Sequence, residues 1–179
     1  MIKNLSSEKN ICIHCGLCCD GTLFNWGNIS SNEVLDELFQ TETIKADGNE
    51  TIVFSQPCQF LKNCSCSIYN SETPKRPLVC SKFKCKLLNN YEANQNSYSE
   101  SIILIEKTKE LALKNDKLID ETFPELKELS TSKKIKFLKN KLEVAENQAE
   151  FRKKYGNILL NSYAFEHWKK KYFTVNQKL

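Results

Sequence analysis

The reading of this chain turns on Cys12-Ile13-His14-Cys15-Gly16-Leu17-Cys18-Cys19-Asp20, which holds four of its nine cysteines. Wound as a helix at about 100° per residue, the four side chains fall within an arc of about 120°. Held as a turn, the two-residue spacings place thiolates where one ion or cluster can be clasped, and Gly16 supplies the freedom to bend. Four sulfurs converge either way. The other five, Cys58, Cys64, Cys66, Cys80 and Cys85, lie on an irregular segment where Pro74 and Pro77 break any regular element. A tetrahedral site needs about four ligands, so two clusters of this size can close two sites or share one polynuclear centre.

Buried free cysteines usually occur as scattered single residues, not in runs. Disulfides are disfavoured by the odd count and by an N-terminal stretch, Met1 to Asn10, without the apolar core of a secretory signal. Adjacent Cys18 and Cys19 also strain any mutual bond. The cysteines therefore read as metal ligands in a cytoplasmic protein. Thiolates with few histidines suit zinc and iron–sulfur clusters alike. Cys12, Cys15 and Cys18 reproduce the first three ligands of a bacterial ferredoxin run, but the fourth cysteine follows at once instead of after three residues and before a proline. A ferredoxin cluster is not implied. Eight thiolates and two divalent ions would take the formal charge of +4 to zero, which an iron–sulfur centre with unbound thiols would tolerate as well.

The rest of the constellation is sparse. His14 lies inside the first cluster and could serve as a ligand, but is expected in a supporting or exposed position, because four cysteines already surround it. His167, beside Trp168, is expected to be structural. Neither has a partner for a nucleophile–base–orienter triad, so hydrolase chemistry is not indicated. Asp20, directly after Cys19, and Arg76, near Cys80, are placed to hydrogen-bond or balance thiolates, and equally read as ordinary surface charges. Only Arg76 and Arg152 are arginines, and a planar guanidinium makes bidentate bonds that lysine cannot.

Working outward, 179 residues suffice for one domain, or for one domain with a helical appendage. Residues 1–86 carry every cysteine and nine basic against nine acidic residues; residues 87–179 carry seventeen against thirteen. The excess lies in helical, acid-interleaved sequence, such as Lys133-Lys134-Ile135-Lys136 and Lys169-Lys170-Lys171, and reads as solvated helix face; no nucleic-acid partner is expected. Five scattered glycines form no phosphate-cradling loop, and the longest apolar run, Ile102 to Ile105, cannot span a membrane. Ser30-Ser31-Asn32-Glu33 predicts a capping box and a short helix with Val34, Leu35, Leu38 and Phe39 inward. Asp47-Gly48 predicts a hairpin within Ile44 to Phe54. Asn89 to Ser97 reads as a connector. Helices are predicted over 99–120, with Ile102, Ile105, Ala112 and Leu113 on one side, and over 132–155, with Ile135, Leu138, Leu142, Ala145 and Ala149. Gly156 is placed as a stop, followed by a helix over 158–173 carrying Leu159, Tyr163, Trp168 and Tyr172. The expected fold is mainly α with a small β-hairpin: an irregular, metal-nucleated cysteine-rich half (1–88) and a helical extension packed on it (89–179).

Five ordered blocks then carry a resemblance. They are Cys12-x-x-Cys15-Gly16-x-Cys18-Cys19-Asp20-Gly21-Thr22-Leu23-Phe24, Pro57-Cys58-x-Phe60-Leu61, Cys66-x-Ile68-Tyr69, Arg76-Pro77-x-x-Cys80 and Phe83-x-Cys85. The sequence resembles the YkgJ family of cysteine-cluster proteins, which carry the CxxCxxCC domain described as zinc- or iron-chelating, over about Cys12 to Leu88. The resemblance implies metal chelation by Cys12, Cys15, Cys18, Cys19, Cys58, Cys66, Cys80 and Cys85, and leaves Cys64 as the odd thiol. Between Tyr69 and Arg76 the six residues NSETPK make a longer link than is usual in the family. The same domain occurs in flagellin lysine N-methylases, so a methyl-transfer role follows by analogy alone. Three functions are carried forward: a zinc- or iron-chelating protein, an iron–sulfur protein with redox chemistry, and a module whose helices dock a protein partner on a metal-bearing scaffold.

Overall fold

The computed structural model describes residues 10–30, 33, 38–46, 49–72 and 74–174. About 54% of the chain is helical, well above the usual third, so the mainly-α expectation agrees with the fold. The first helix, α1 (Ile11–Cys15), starts from Asn10, whose side chain accepts the Cys12 N–H at 3.0 Å, and stops at Gly16 with φ +71°. Strands β1 (Trp26–Asn28), β2 (Glu42–Ala46) and β3 (Asn49–Ser55) form an antiparallel sheet in the order β1-β3-β2. Ala46 pairs with Asn49, so the hairpin has the two-residue link expected at Asp47-Gly48, which lies outside the described residues. Most of the helix expected after Ser30 is also outside them; of its inward residues Phe39 is buried, whereas Leu38 is exposed.

The proline-broken segment holds more regular structure than its composition suggests. Strands β4 (Leu61–Lys62) and β5 (Ser65–Cys66) form a tight hairpin whose two turn residues, Asn63 and Cys64, have φ +50° and +61°. Two positive φ values are what a two-residue turn matched to strand twist requires. Helix α2 (Leu78–Lys82) follows Pro77, and Leu78 N–H donates to Glu33 Oε1 at 2.5 Å. Helix α3 (Lys86–Glu92) begins at Cys85, whose sulfur accepts the Leu88 N–H at 3.4 Å. The expected connector at Asn89 therefore begins inside a helix, and only 93–97 is irregular.

Helix α4 (Tyr98–Thr122) opens with a capping box: Glu100 N–H donates to Ser97 Oγ at 3.2 Å, and Ser97 N–H donates to Glu100 Oε2 at 2.7 Å. A 3-10 turn at Pro124–Leu126 leads to α5 (Thr131–Glu143) and α6 (Gln148–Tyr172). The break falls at 144–147 and not at Gly156, because Asn147 caps α6 by accepting the Glu150 N–H at 3.1 Å. What remains of the expected stop is a kink at Tyr155, with Gly156 facing open space. The shift of boundary turns Ala149 outward, and Leu113 and Tyr163 are exposed rather than inward.

Two hydrophobic clusters hold the chain. One lies wholly among the C-terminal helices: Ala112, Ile119, Leu126, Ile135, Leu138, Ile158 and Phe165. The other joins both halves: Ile11, Leu17, Leu23 and Leu87 pack with Ile105 of α4 and with Phe173 just beyond α6. Beside the first cluster runs a polar seam. Ser101, Thr108 and Asn115 recur every seven residues on α4 and are buried; Thr108 Oγ1 accepts from Trp168 Nε1 at 2.9 Å, and Asn115 Oδ1 accepts from Ser162 Oγ at 3.0 Å. Backbone bonds stitch the halves again, where Ser132 N–H reaches Gly21 C=O at 3.1 Å and Lys86 N–H reaches Phe173 C=O at 3.1 Å.

Candidate metal centre

All nine cysteines line one cavity of about 320 Å³. Helix α1 brings Cys12 and Cys15, one turn apart and so on one face. The left-handed Gly16 reverses the chain so that Cys18 and Cys19 follow at once, and its missing side chain matters: a Cβ would lie 3.0 Å from the Cys64 carbonyl oxygen. The hairpin β4–β5 contributes Cys64 and Cys66, α2 contributes Cys80, and the N-cap of α3 contributes Cys85. Cys58 N–H donates to Cys19 C=O at 2.7 Å, fastening the second cysteine segment directly to the first. Among the described residues, no three His, Cys, Asp or Glu side chains are grouped tightly enough to hold one ion as they stand. The sulfurs share a cavity, not yet a coordination point.

The donor chemistry still fits one class of metal. The described cavity lining carries nine thiols and no Asp, Glu or His side chain, a set that suits zinc or iron and not calcium or magnesium. Burial raises the thiol pKa of Cys12 to about 11 and of Cys19 and Cys80 to about 12, and pushes Cys15, Cys18, Cys58 and Cys85 upward as well. A soft cation would stabilise the thiolates here by displacing their protons.

Beside burial, several of the cysteines raise one another, and they do so in two groups. Cys85 raises Cys12; Cys85 and Cys12 raise Cys15; Cys15, Cys85, Cys19 and Cys12 raise Cys18. Cys58, Cys80 and Cys66 raise Cys19, Cys58 and Cys66 raise Cys80, and Cys66 raises Cys58. Among these larger couplings only that of Cys18 with its neighbour Cys19 crosses between groups.

Arg76 stands at the seam. Its guanidinium lies 4.0 Å from the centre of the Tyr69 ring, and Tyr69 Oη accepts from Asn10 Nδ2 at 2.6 Å. It makes no ion pair among the described residues, and its charge favours the thiolates of both Cys12 and Cys80. A smaller cavity of about 170 Å³ adjoins the first along Cys12, Tyr69, Arg76 and Cys80. Tyr69 was readable only as part of a motif, because its bond to Asn10 joins residues far apart in sequence. Lys109 of α4 was not readable at all, although it reaches the His14 carbonyl at 3.3 Å and favours the Cys15 thiolate.

Three other residues resolve plainly. His14 is exposed and does not line the cavity. His167 is exposed, which corrects the expectation of a structural role, because the α6 face that packs carries Ile158, Leu159, Ser162 and Phe165. Asp20 does not balance thiolates: its negative charge raises the Cys19 pKa, and its Oδ1 accepts the Thr22 N–H at 2.7 Å to shape the turn at Gly21.

No curated protein and no solved structure matches the chain. A family model does, over residues 11–101, and its description reads "CxxCxxCC: Putative zinc- or iron-chelating domain". That span contains every cysteine of the cavity and ends in α4, whose Ile105 lies just beyond it in the shared core. The motif, the matched half of the chain and the nine-thiol cavity agree, and the protein belongs to the CxxCxxCC family.

Proposed function

We propose that this protein chelates zinc or iron through the thiolates of Cys12, Cys15, Cys18, Cys19, Cys58, Cys66, Cys80 and Cys85, and that the bound metal holds the cysteine-rich half together. The observation that carries this reading is the gathering of all nine cysteines, from five separate places along the chain, around one cavity without a carboxylate or imidazole in its described lining. Residues 1–88 are the chelating unit in this reading and residues 89–179 a helical extension packed on it. The setting is cytoplasmic, where thiols stay reduced and free to bind metal.

Bound metal would supply the cross-links that short elements such as α1, α2 and the β4–β5 hairpin cannot supply for themselves. On α4 the exposed Ile103 and Leu113 are separated by the exposed charges of Glu106, Lys107 and Glu110, so that helix gives little support to a partner-docking role.

The test is the content of zinc, iron and acid-labile sulfide per chain, on protein purified without oxygen. Zinc, or iron without sulfide, supports chelation. Iron with matching sulfide moves the protein to the iron–sulfur class. A folded chain free of all three overturns the reading.

A further inference from the structure

The eight ligand candidates need not act as one group, and three observations bear on how they divide. First, Cys15, Cys18 and Cys85 all pack against the hydrophobic cluster of Ile11, Leu17, Leu23, Leu87, Ile105 and Phe173. Cys12 lies one turn before Cys15 on α1 and so shares that side. Second, the other cysteines are joined by a different set of bonds. Cys58 N–H donates to Cys19 C=O at 2.7 Å, Leu61 N–H donates to Cys58 C=O at 2.9 Å, and Leu61 pairs across the hairpin with Cys66. Cys80 comes in from α2, which packs on β1 at this end of the molecule. Third, Arg76 lines both cavities together with one member of each group, Cys12 and Cys80.

We infer that the cavity holds two separate tetrathiolate centres for divalent, tetrahedral ions such as zinc or iron(II), one formed by Cys12, Cys15, Cys18 and Cys85 and the other by Cys19, Cys58, Cys66 and Cys80. Four sulfurs each is the number a closed tetrahedral site takes. Adjacent Cys18 and Cys19 serve different ions, one turned toward the hydrophobic cluster and the other toward the Cys58 segment. Cys64 belongs to neither: it occupies the positive-φ turn at the tip of the β4–β5 hairpin, and each set already has four sulfurs without it. Each filled centre would carry a charge of −2, and Arg76 is the cation placed between them. This inference rests on the proposed chelation and adds its stoichiometry and connectivity.

The experiment loads the full chain with zinc alone, then with cobalt(II) alone, and counts ions in wild type, C15S, C58S and C64S. Cobalt reports the ligands through its thiolate charge-transfer absorption. The expected result is two ions in wild type, one in C15S, one in C58S and two in C64S, with the cobalt bands of C15S and C58S near half intensity. A second pair, C85S and C66S, repeats the comparison with one cysteine from each set, should C15S or C58S fail to fold. Loss of both ions from every variant, one ion in wild type, or more than two irons with sulfide per chain would overturn the two-centre arrangement while leaving chelation intact. Loss of an ion from C64S would overturn the ligand assignment. Wild type that takes up neither metal would overturn the chelation reading itself.

Discussion

Gly21 sits two residues after the adjacent cysteines with φ +81°, and a Cβ there would stand 2.4 Å from Ser130 Cβ and 2.7 Å from Ser130 Oγ. Both the backbone conformation and the space exclude a side chain. Gly21→Ala should cost about 2–3 kcal/mol, as overpacking and left-handed strain together predict. Urea denaturation of the metal-loaded protein measures this; an unchanged midpoint would sink the claim. Cys64 is the reverse case. It holds φ +61° in the hairpin turn, a conformation glycine takes at no steric cost. Cys64→Gly should therefore raise stability by about 1 kcal/mol, with metal content unchanged. The clustering of cysteines was legible in sequence because Cys12 to Cys19 are neighbours along the chain. Their division was not, since it depends on where the loops carrying Cys58, Cys66, Cys80 and Cys85 return.

At the scale of elements, α4 is tied to α5 by Lys134, whose side chain is 3% exposed and whose Nζ lies 2.8 Å from Asp120 and 3.9 Å from Asp116. Lys134→Ala leaves two partly buried carboxylates without their cation, at a loss of about 3 kcal/mol. Thermal melting at neutral pH reads this directly, and a shift under one degree would contradict it. Helices α5 and α6 are joined by Glu166, which Lys139 reaches at 2.9 Å and Lys169 contacts from the next turn. Burial alone would raise the Glu166 pKa, but the bonds and charges of Lys169 and Lys139 outweigh it and hold the carboxyl below its usual value. A depressed carboxylate stabilises the fold above the ordinary glutamate range, and that contribution fades as pH falls through the lowered pKa. Glu166→Gln should thus be less stable than wild type near neutrality and converge with it in acid; parallel curves across that range would rule the linkage out. The helices themselves were legible from apolar spacing, and α4 starts and ends within two residues of its predicted bounds. The α5–α6 break was not. Gly156 looked like the stop, yet the Asn147 cap sets the start of α6, and an exposed glycine merely permits the kink at Tyr155.

For the whole molecule, the two hydrophobic clusters predict unequal responses to metal removal. The cluster of Ala112, Ile119, Leu126, Ile135, Leu138, Ile158 and Phe165 draws on no cysteine segment. The other cluster takes Ile11, Leu17 and Leu23 from the chain around the first four cysteines. Stripping the metal with a strong chelator should release amide protection across α1, the hairpin β4–β5 and α2, while most of α4, α5 and α6 stays protected. Hydrogen exchange followed by mass spectrometry resolves the two regions. Uniform loss across both would mean that the helices depend on the metal as much as the cysteines do. Joining of the halves through Ile105 and Phe173 was hidden from sequence, because a hydrophobic stripe does not say which distant segment will cover it.

Phe173 gives this packing an order in time. It is 1% exposed, lies within the cluster that backs Cys15, Cys18 and Cys85, and its carbonyl accepts the Lys86 N–H. A ribosome makes the first cysteine more than a hundred and fifty residues before it makes this phenylalanine. The wall behind those sulfurs is thus incomplete for nearly all of synthesis, until residue 173 has cleared the exit tunnel. Metal captured earlier would meet a half-built pocket, so lasting retention belongs to the finished chain.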